Sequence, residues 1–140
     1  MKIWPALIMS LSLLGCPSYH SVELVNEVYL MPKPNYEWVL LEDLYFTVDA
    51  IHYRIEKGFQ TDLASIPRWL WSIVAPIRYD LIAPSLIHDF FYVSPHDRSR
   101  KDIDSIFYWC LKEQGASTLN AYIYYAAVRL FGWKSFNKKH

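Results

Sequence analysis

The residues whose types and spacing could do chemistry fall in two short stretches, Gly58-Phe-Gln-Thr-Asp-Leu-Ala-Ser-Ile-Pro67 and Leu86-Ile-His-Asp-Phe-Phe-Tyr92. The first is turn-rich and carries an acid, Asp62, with two hydroxyls, Thr61 and Ser65. The second sets His88 and Asp89 into an otherwise apolar helical run, with Tyr92 one turn further on. A carboxylate that accepts from one imidazole nitrogen fixes the tautomer and leaves the other nitrogen basic, which is the arrangement of a general base. Asp104 is the acid placed to do this for His88. Asp89, about 100° round the helix from His88, could pair with Asp62. Two acidic side chains plus the carbonyls of a turn suit a hard cation such as calcium, which could polarise an ester carbonyl and stabilise the oxyanion.

The elements that must position these residues divide near residue 60. Before it, Val22 to Leu30, Glu37 to Glu42, Leu44 to Val48 and His52 to Glu56 read as short strands, with Lys57-Gly58 as a turn. Met31 to Asn35 reads as a linker, because neither of its prolines can donate to a ladder. After Phe59 the period becomes helical. Pro67 is placed as the first residue of a helix carrying Trp69, Leu70 and Ile73, stopped by Pro76, and Pro84 as the opening of a second through Leu86 and Phe91. Ser99 to Gln114 forms a third, with Ile103, Ile106, Phe107 and Leu111 on one stripe and Gly115 as its stop. Ser117 or Thr118 caps a fourth that runs to Gly132. The class is α+β: a small N-terminal antiparallel sheet followed by three to four helices.

Antiparallel helices joined by a short turn bring residues equidistant from the turn to the same height. With one turn centred near His96, His88 and Asp104 are level. With the next near Ala116, Asp104 and Arg129 are level. The spacing therefore allows His88, Asp104 and Arg129 to share one layer, although facing is not set by spacing. Each residue also has a plainer role open to it. His88 could be a hydrogen-bonded packing histidine and Asp62 the cap of a turn. Asp104 with Arg129, or Asp102 with Arg98, could be a structural ion pair. Tyr92 reads as core with its hydroxyl satisfied, Trp69, Trp71, Trp109 and Cys110 as packing, and His20, His52, His96 and His140 show no metal spacing.

At 140 residues the chain is one domain, with 14 basic and 14 acidic residues. That balance argues against nucleic acid as an electrostatically held partner. Met1-Lys2 followed by an apolar run from Ile3 to Leu14 has the length of a signal peptide and is too short to span a bilayer. It ends in Leu13-Leu14-Gly15-Cys16, which resembles the bacterial lipobox. The resemblance implies a signal peptide over 1–15, acylation of Cys16, a tether over 16–21 and a single domain over 22–140. The other readings are an uncleaved anchor or a plain signal peptide with a chance cysteine. Acylation would place the protein in the bacterial envelope facing the periplasm, and Pro17 in place of aspartate favours the outer membrane. With Cys16 acylated, Cys110 is the one thiol left and no intramolecular disulfide can form.

Four motifs, Phe59-Gln-Thr-Asp-Leu-Ala-Ser-Ile-Pro67, His88-Asp-Phe-Phe-Tyr92, Arg100 with Ile103-Asp-Ser-Ile-Phe107, and Val128-Arg-Leu-Phe-Gly132, recur in that order in a bacteriophage and prophage family, domain of unknown function 1353, which the chain resembles. Ile103 departs from the family's usual alanine. A second similarity, over about 60 to 107, is to the His-Asp-x-x-Tyr helix of secreted phospholipases of the A₂ type. It implies His88 as base, Asp89 as calcium ligand and Asp104 as orienting acid, with Asp62 at the upstream acidic position of bacterial members. The chain lacks their Gly-rich calcium loop and disulfide frame. Two functions follow as expectations: a calcium-assisted ester hydrolase on an envelope lipoprotein, with Thr61, Ser65, Tyr92, Arg100 and Arg129 supporting the site, or a non-catalytic envelope lipoprotein that binds a membrane or phage component. Nothing in the sequence decides the oligomeric state.

Overall fold

Leu44, Phe46 and Val48 are buried while Tyr45 between them is exposed, the alternation of a strand with one face on a core. In the computed structural model, which describes residues 15–62, 79–133 and 136, this stretch is the centre of a three-stranded antiparallel sheet. β1 (Val22–Leu24) and β5 (Ile51–Ile55) flank β4 (Leu44–Val48). Val22 pairs with Val48, and Phe46 with both Leu24 and Tyr53. A second antiparallel sheet has β3 (Trp38–Leu40) between β2 (Leu30–Pro32) and β6 (Gln60–Thr61).

Two expectations for this half are corrected. Val22 to Leu30 is not one strand, because Asn26 takes over the backbone pairing at the end of β1. Its Oδ1 accepts from the Tyr45 amide at 2.8 Å and its Nδ2 donates to the Asp43 carbonyl at 2.9 Å. A side chain that satisfies backbone groups in this way ends a ladder, and the chain leaves for the second sheet. Met31 and Pro32 are not linker but part of β2, where an edge position needs no amide from the proline.

The helical half contains, among the described residues, α1 (Tyr79–Val93), α2 (Arg100–Glu113) and α3 (Thr118–Phe131). The Ser99 hydroxyl caps α2 through the Asp102 amide and the Ser117 hydroxyl caps α3 through the Asn120 amide. Gly115, at φ +92°, turns the chain out of α2. Pro84 does not open its helix; α1 already runs from Tyr79, and the proline sits inside it. The helix expected from Pro67 to Pro76, with Trp69, Trp71 and Ser65, lies outside the described residues.

Tyr92 and His88 of α1 meet Asp104 and Phe107 of α2, and Asp104 and Tyr108 of α2 meet Arg129 and Tyr125 of α3. Falling numbers on one helix against rising numbers on the next make each pair antiparallel. One core cluster joins Phe46, Val48 and Ile55 of the first sheet to Leu86, Ile87 and Phe91 of α1. A second fills the space between α2 and α3 around Phe107, Tyr125 and Val128. The helix α1 is thus covered on both sides, which is why Leu86, Ile87, His88 and Phe91 have almost no exposure. Among the described residues no helix is long and apolar enough to cross a membrane.

Gly15, the last residue of the expected signal peptide, and Ser18 of the expected tether over 16–21 are hydrogen-bonded to the helical face. The Ser18 amide donates to Ser105 Oγ, Trp109 Nε1 to the Ser18 carbonyl, and the Tyr122 hydroxyl to the Gly15 carbonyl. Asp49 in the β4–β5 turn holds the far end, its carboxylate accepting from the Ser21 amide and lying 2.8 Å from His20 Nδ1. Both turn residues have positive φ, 52° at Asp49 and 64° at Ala50, the conformation of a two-residue turn matched to strand twist. Alanine pays a steric penalty there that glycine avoids, partly offset by glycine's greater unfolded-state entropy. Ala50→Gly is expected to raise stability by about 0.5–1 kcal/mol in denaturant titration.

Candidate functional site

The carboxylate of Asp104 has no solvent exposure, and four side chains surround it. His88 Nε2 and the Tyr92 hydroxyl each donate to Oδ1 at 2.7 Å. Arg129 Nη1 donates to Oδ2 at 2.9 Å, and Arg100 Nη1 stands 3.6 Å from the same oxygen. Three helices converge here for local reasons. His88 and Tyr92 are one turn apart on α1, Arg100 and Asp104 one turn apart on α2, and Arg129 lies in the last turn of α3. Arg100 also donates to the carbonyls of Val128 and Arg129, satisfying groups that the end of α3 leaves open.

Burial by itself would raise the Asp104 pKa, but the hydrogen bonds from His88, Tyr92 and Arg129 outweigh it and hold the carboxyl below its ordinary range. Burial and the neighbouring Asp104 charge push the Tyr92 phenol well above its usual range, so it stays a donor. An ionised Asp104 can only accept, so Nε2 of His88 carries a proton, and in the neutral ring the lone pair is then on Nδ1. Nδ1 is buried and has no hydrogen-bond partner among the described residues. The ring is enclosed by Tyr92 and Phe107, with centroids at 4.1 and 5.0 Å.

The sequence-derived residues therefore separate into two groups. His88, Tyr92, Arg100, Asp104 and Arg129 form one network. Thr61 and Asp89 form another contact, the Thr61 hydroxyl donating to the Asp89 carboxylate. Asp62, the next residue, is exposed. Among the described residues no group of three or more His, Cys, Asp or Glu side chains stands together to hold a metal ion. Ser65 lies outside the described residues. Arg98 does not pair with Asp102; it reaches Asp49 at 3.4 Å and the Tyr53 hydroxyl at 3.2 Å, drawn over the rings of Tyr53 and Phe91. Cys110 is fully buried, and burial pushes its thiol pKa up, as for a packing cysteine.

One member of the network was not foreseen. Gly132, the stop of the last helix and the end of the fourth motif, is placed so that a Cβ there would lie 2.8 Å from the Tyr92 hydroxyl and 2.5 Å from the Val128 carbonyl oxygen. Its absent side chain leaves the Tyr92 hydroxyl room to reach Asp104. The signal in the sequence was the glycine three residues after Arg129, which spacing alone could not connect to α1.

Removing one partner of a buried ion pair leaves the other uncompensated. Asp104→Ala is expected to destabilise the protein by about 3–5 kcal/mol, measured by urea denaturation. The pH dependence has a definite sign. The folded carboxyl titrates below the ordinary value of 3.8, so its stabilisation is present above about pH 4 and is lost as pH falls through the folded value. Between about pH 5 and pH 2 the wild type is expected to lose Tm more steeply than Asp104→Asn.

Comparison with known proteins gives a family. The "Uncharacterized protein y4jT" of Sinorhizobium fredii is 30% identical to this chain over 103 residues, which are 72% of this chain and 30% of that protein. The chain thus spans about a third of the length of that relative. No solved structure matches. Residues 38–128, from the start of β3 to a point near the end of α3, match the family described as "Protein of unknown function (DUF1353)". The matched span holds His88, Tyr92, Arg100 and Asp104, and by a match over well more than half its length the chain belongs to the DUF1353 family.

Proposed function

We propose that the protein is a phage-type envelope lipoprotein, anchored through Cys16, in which His88 and Asp104 act as the base and orienting acid of an ester hydrolase, with a membrane phospholipid as the substrate class. The observation that carries the reading is the state of the His88 ring: Asp104 holds Nε2 while Nδ1 is left buried and without a partner among the described residues. A structural histidine normally satisfies both nitrogens, so an orphaned buried acceptor calls for a role. In the proposed chemistry Nδ1 takes a proton from water as its oxygen attacks the ester carbonyl. The acyl–oxygen bond then breaks, and the imidazolium returns the proton to the leaving alkoxide, giving a fatty acid and an alcohol. Asp104 stabilises the imidazolium, and Arg129 keeps Asp104 ionised.

Calcium enters through Asp62 and Asp89. Asp89 already has Thr61 on its carboxylate, and two carboxylates fall short of the six to eight oxygens calcium takes, so carbonyls or water would supply the rest. A bound cation would polarise the ester carbonyl. Phage or prophage origin rests on the family resemblance of the four motifs.

One observation favours the non-catalytic reading, an envelope lipoprotein that binds a membrane or phage component in superinfection exclusion or lysis. His88 has no side-chain exposure. The cleft by Tyr19 and Trp109 and the cleft by Phe59 and Phe90 are not lined by His88. His88→Gln separates the readings, because the amide can still donate to Asp104 but cannot act as a base. With full-length protein in phospholipid vesicles containing millimolar calcium, the hydrolase reading expects fatty-acid release to fall at least a hundredfold in His88→Gln while Tm stays close to wild type. No release by the wild type, or equal release by the variant, would leave the binding reading in its place.

A further inference from the structure

We infer that the end of the molecule around the α2–α3 turn lies against the lipid surface, held there by residues 16–21 acting as a docked strap instead of a free tether. The inference rests on the reading of Cys16 as the acylated residue and adds the orientation of the body on the membrane.

Cys16 is exposed, and the chain is fixed two residues after it. Ser18 is held through both backbone groups, its amide on Ser105 Oγ at 3.1 Å and its carbonyl on Trp109 Nε1 at 2.8 Å. Ser105 is fully buried and Tyr19 packs edge-on against Trp109 with centroids 5.0 Å apart, so the strap is seated on the helices.

The free length between the acylated residue and the first held residue is then two residues, roughly 7 Å at full extension. The headgroup layer on each side of a bilayer is about 5–8 Å thick. A tether no longer than that layer cannot hold the body clear of the headgroups, so the surface around Cys16 must touch them.

That surface is suited to the contact. Tyr19 is 73% exposed and Leu119 69%, the two highest values among the large apolar side chains described. Leu119 lies one turn before Tyr122 on α3 and shares its face, and the Tyr122 hydroxyl reaches the peptide group joining residues 15 and 16. A tyrosine and a leucine beside a lipid anchor add apolar contact at headgroup depth, where amphipathic aromatic rings settle.

The experiment uses the full-length chain made in a bacterium with labelled palmitate and reconstituted in phosphatidylethanolamine–phosphatidylglycerol vesicles. A nitroxide is attached at Leu119→Cys or, as the control, at Tyr45→Cys on the outward face of β4; buried Cys110 will not react. The label at 119 is expected to be several-fold less accessible to a water-soluble nickel chelate than the label at 45. Trp109→Phe, which keeps the ring but removes the donor to Ser18, is expected to narrow that difference. Equal accessibility at 119 and 45 in palmitate-labelled protein would overturn the orientation and leave the lipoprotein reading standing. An undiminished difference in Trp109→Phe would overturn the role of the strap. Absence of palmitate would overturn both the anchor and the orientation built on it.

Discussion

A carboxylate removed from water costs several kcal/mol unless partners replace its hydration, and that requirement organises the helical half of this protein. Asp104 sits at the meeting of α1, α2 and α3 and takes one or more partners from each. The helices cannot slide past one another without stripping a donor from the buried charge. The surrounding apolar contacts could tolerate many small repackings, whereas the charge accepts few geometries. The pairing of arginines with Asp104 therefore sets the register of three helices, and the imidazole of His88 takes its orientation from it.

How much of this could be read beforehand depends on whether the deciding interaction was local. The ends of α2 and α3 were legible because Ser99, Ser117 and Gly115 act on backbone groups within a turn of themselves. The level of His88, Asp104 and Arg129 was legible because short turns fix height. Their common facing was not, since a rotation of one residue moves a side chain by about 100°, and the core decides that rotation. Asn26 was opaque for a similar reason: its diversion of the chain depends on Tyr45 and Asp43, which belong to another strand. Pro84 misled because its usual place at a helix start is a preference of isolated helices. In α1, burial among sheet, α2 and core offsets the lost bond.

The first two of the four motifs that carry the family resemblance meet where Thr61 donates to Asp89. That contact ties the last strand of the second sheet to the polar side of α1, while His88, one residue earlier, faces the interior. Neighbouring residues on one helix thus serve different environments. Asp89 is half-exposed and His88 closed in, so the two side chains lie next to each other in sequence without sharing a partner.

The strap contacts also bear on the order of assembly. Ser18 meets Ser105 and Trp109 across separations of 87 and 91 residues, and Gly15 meets Tyr122 across 107. Closing loops of that length forfeits chain entropy that only a formed α2–α3 surface can offset, so these contacts belong to the last stage of folding. A segment that docks last onto a completed surface is also the first to leave it. Its opening need not unfold the core, and hydrogen exchange at Ser18 would then report a local free energy well below that of the helices beneath it.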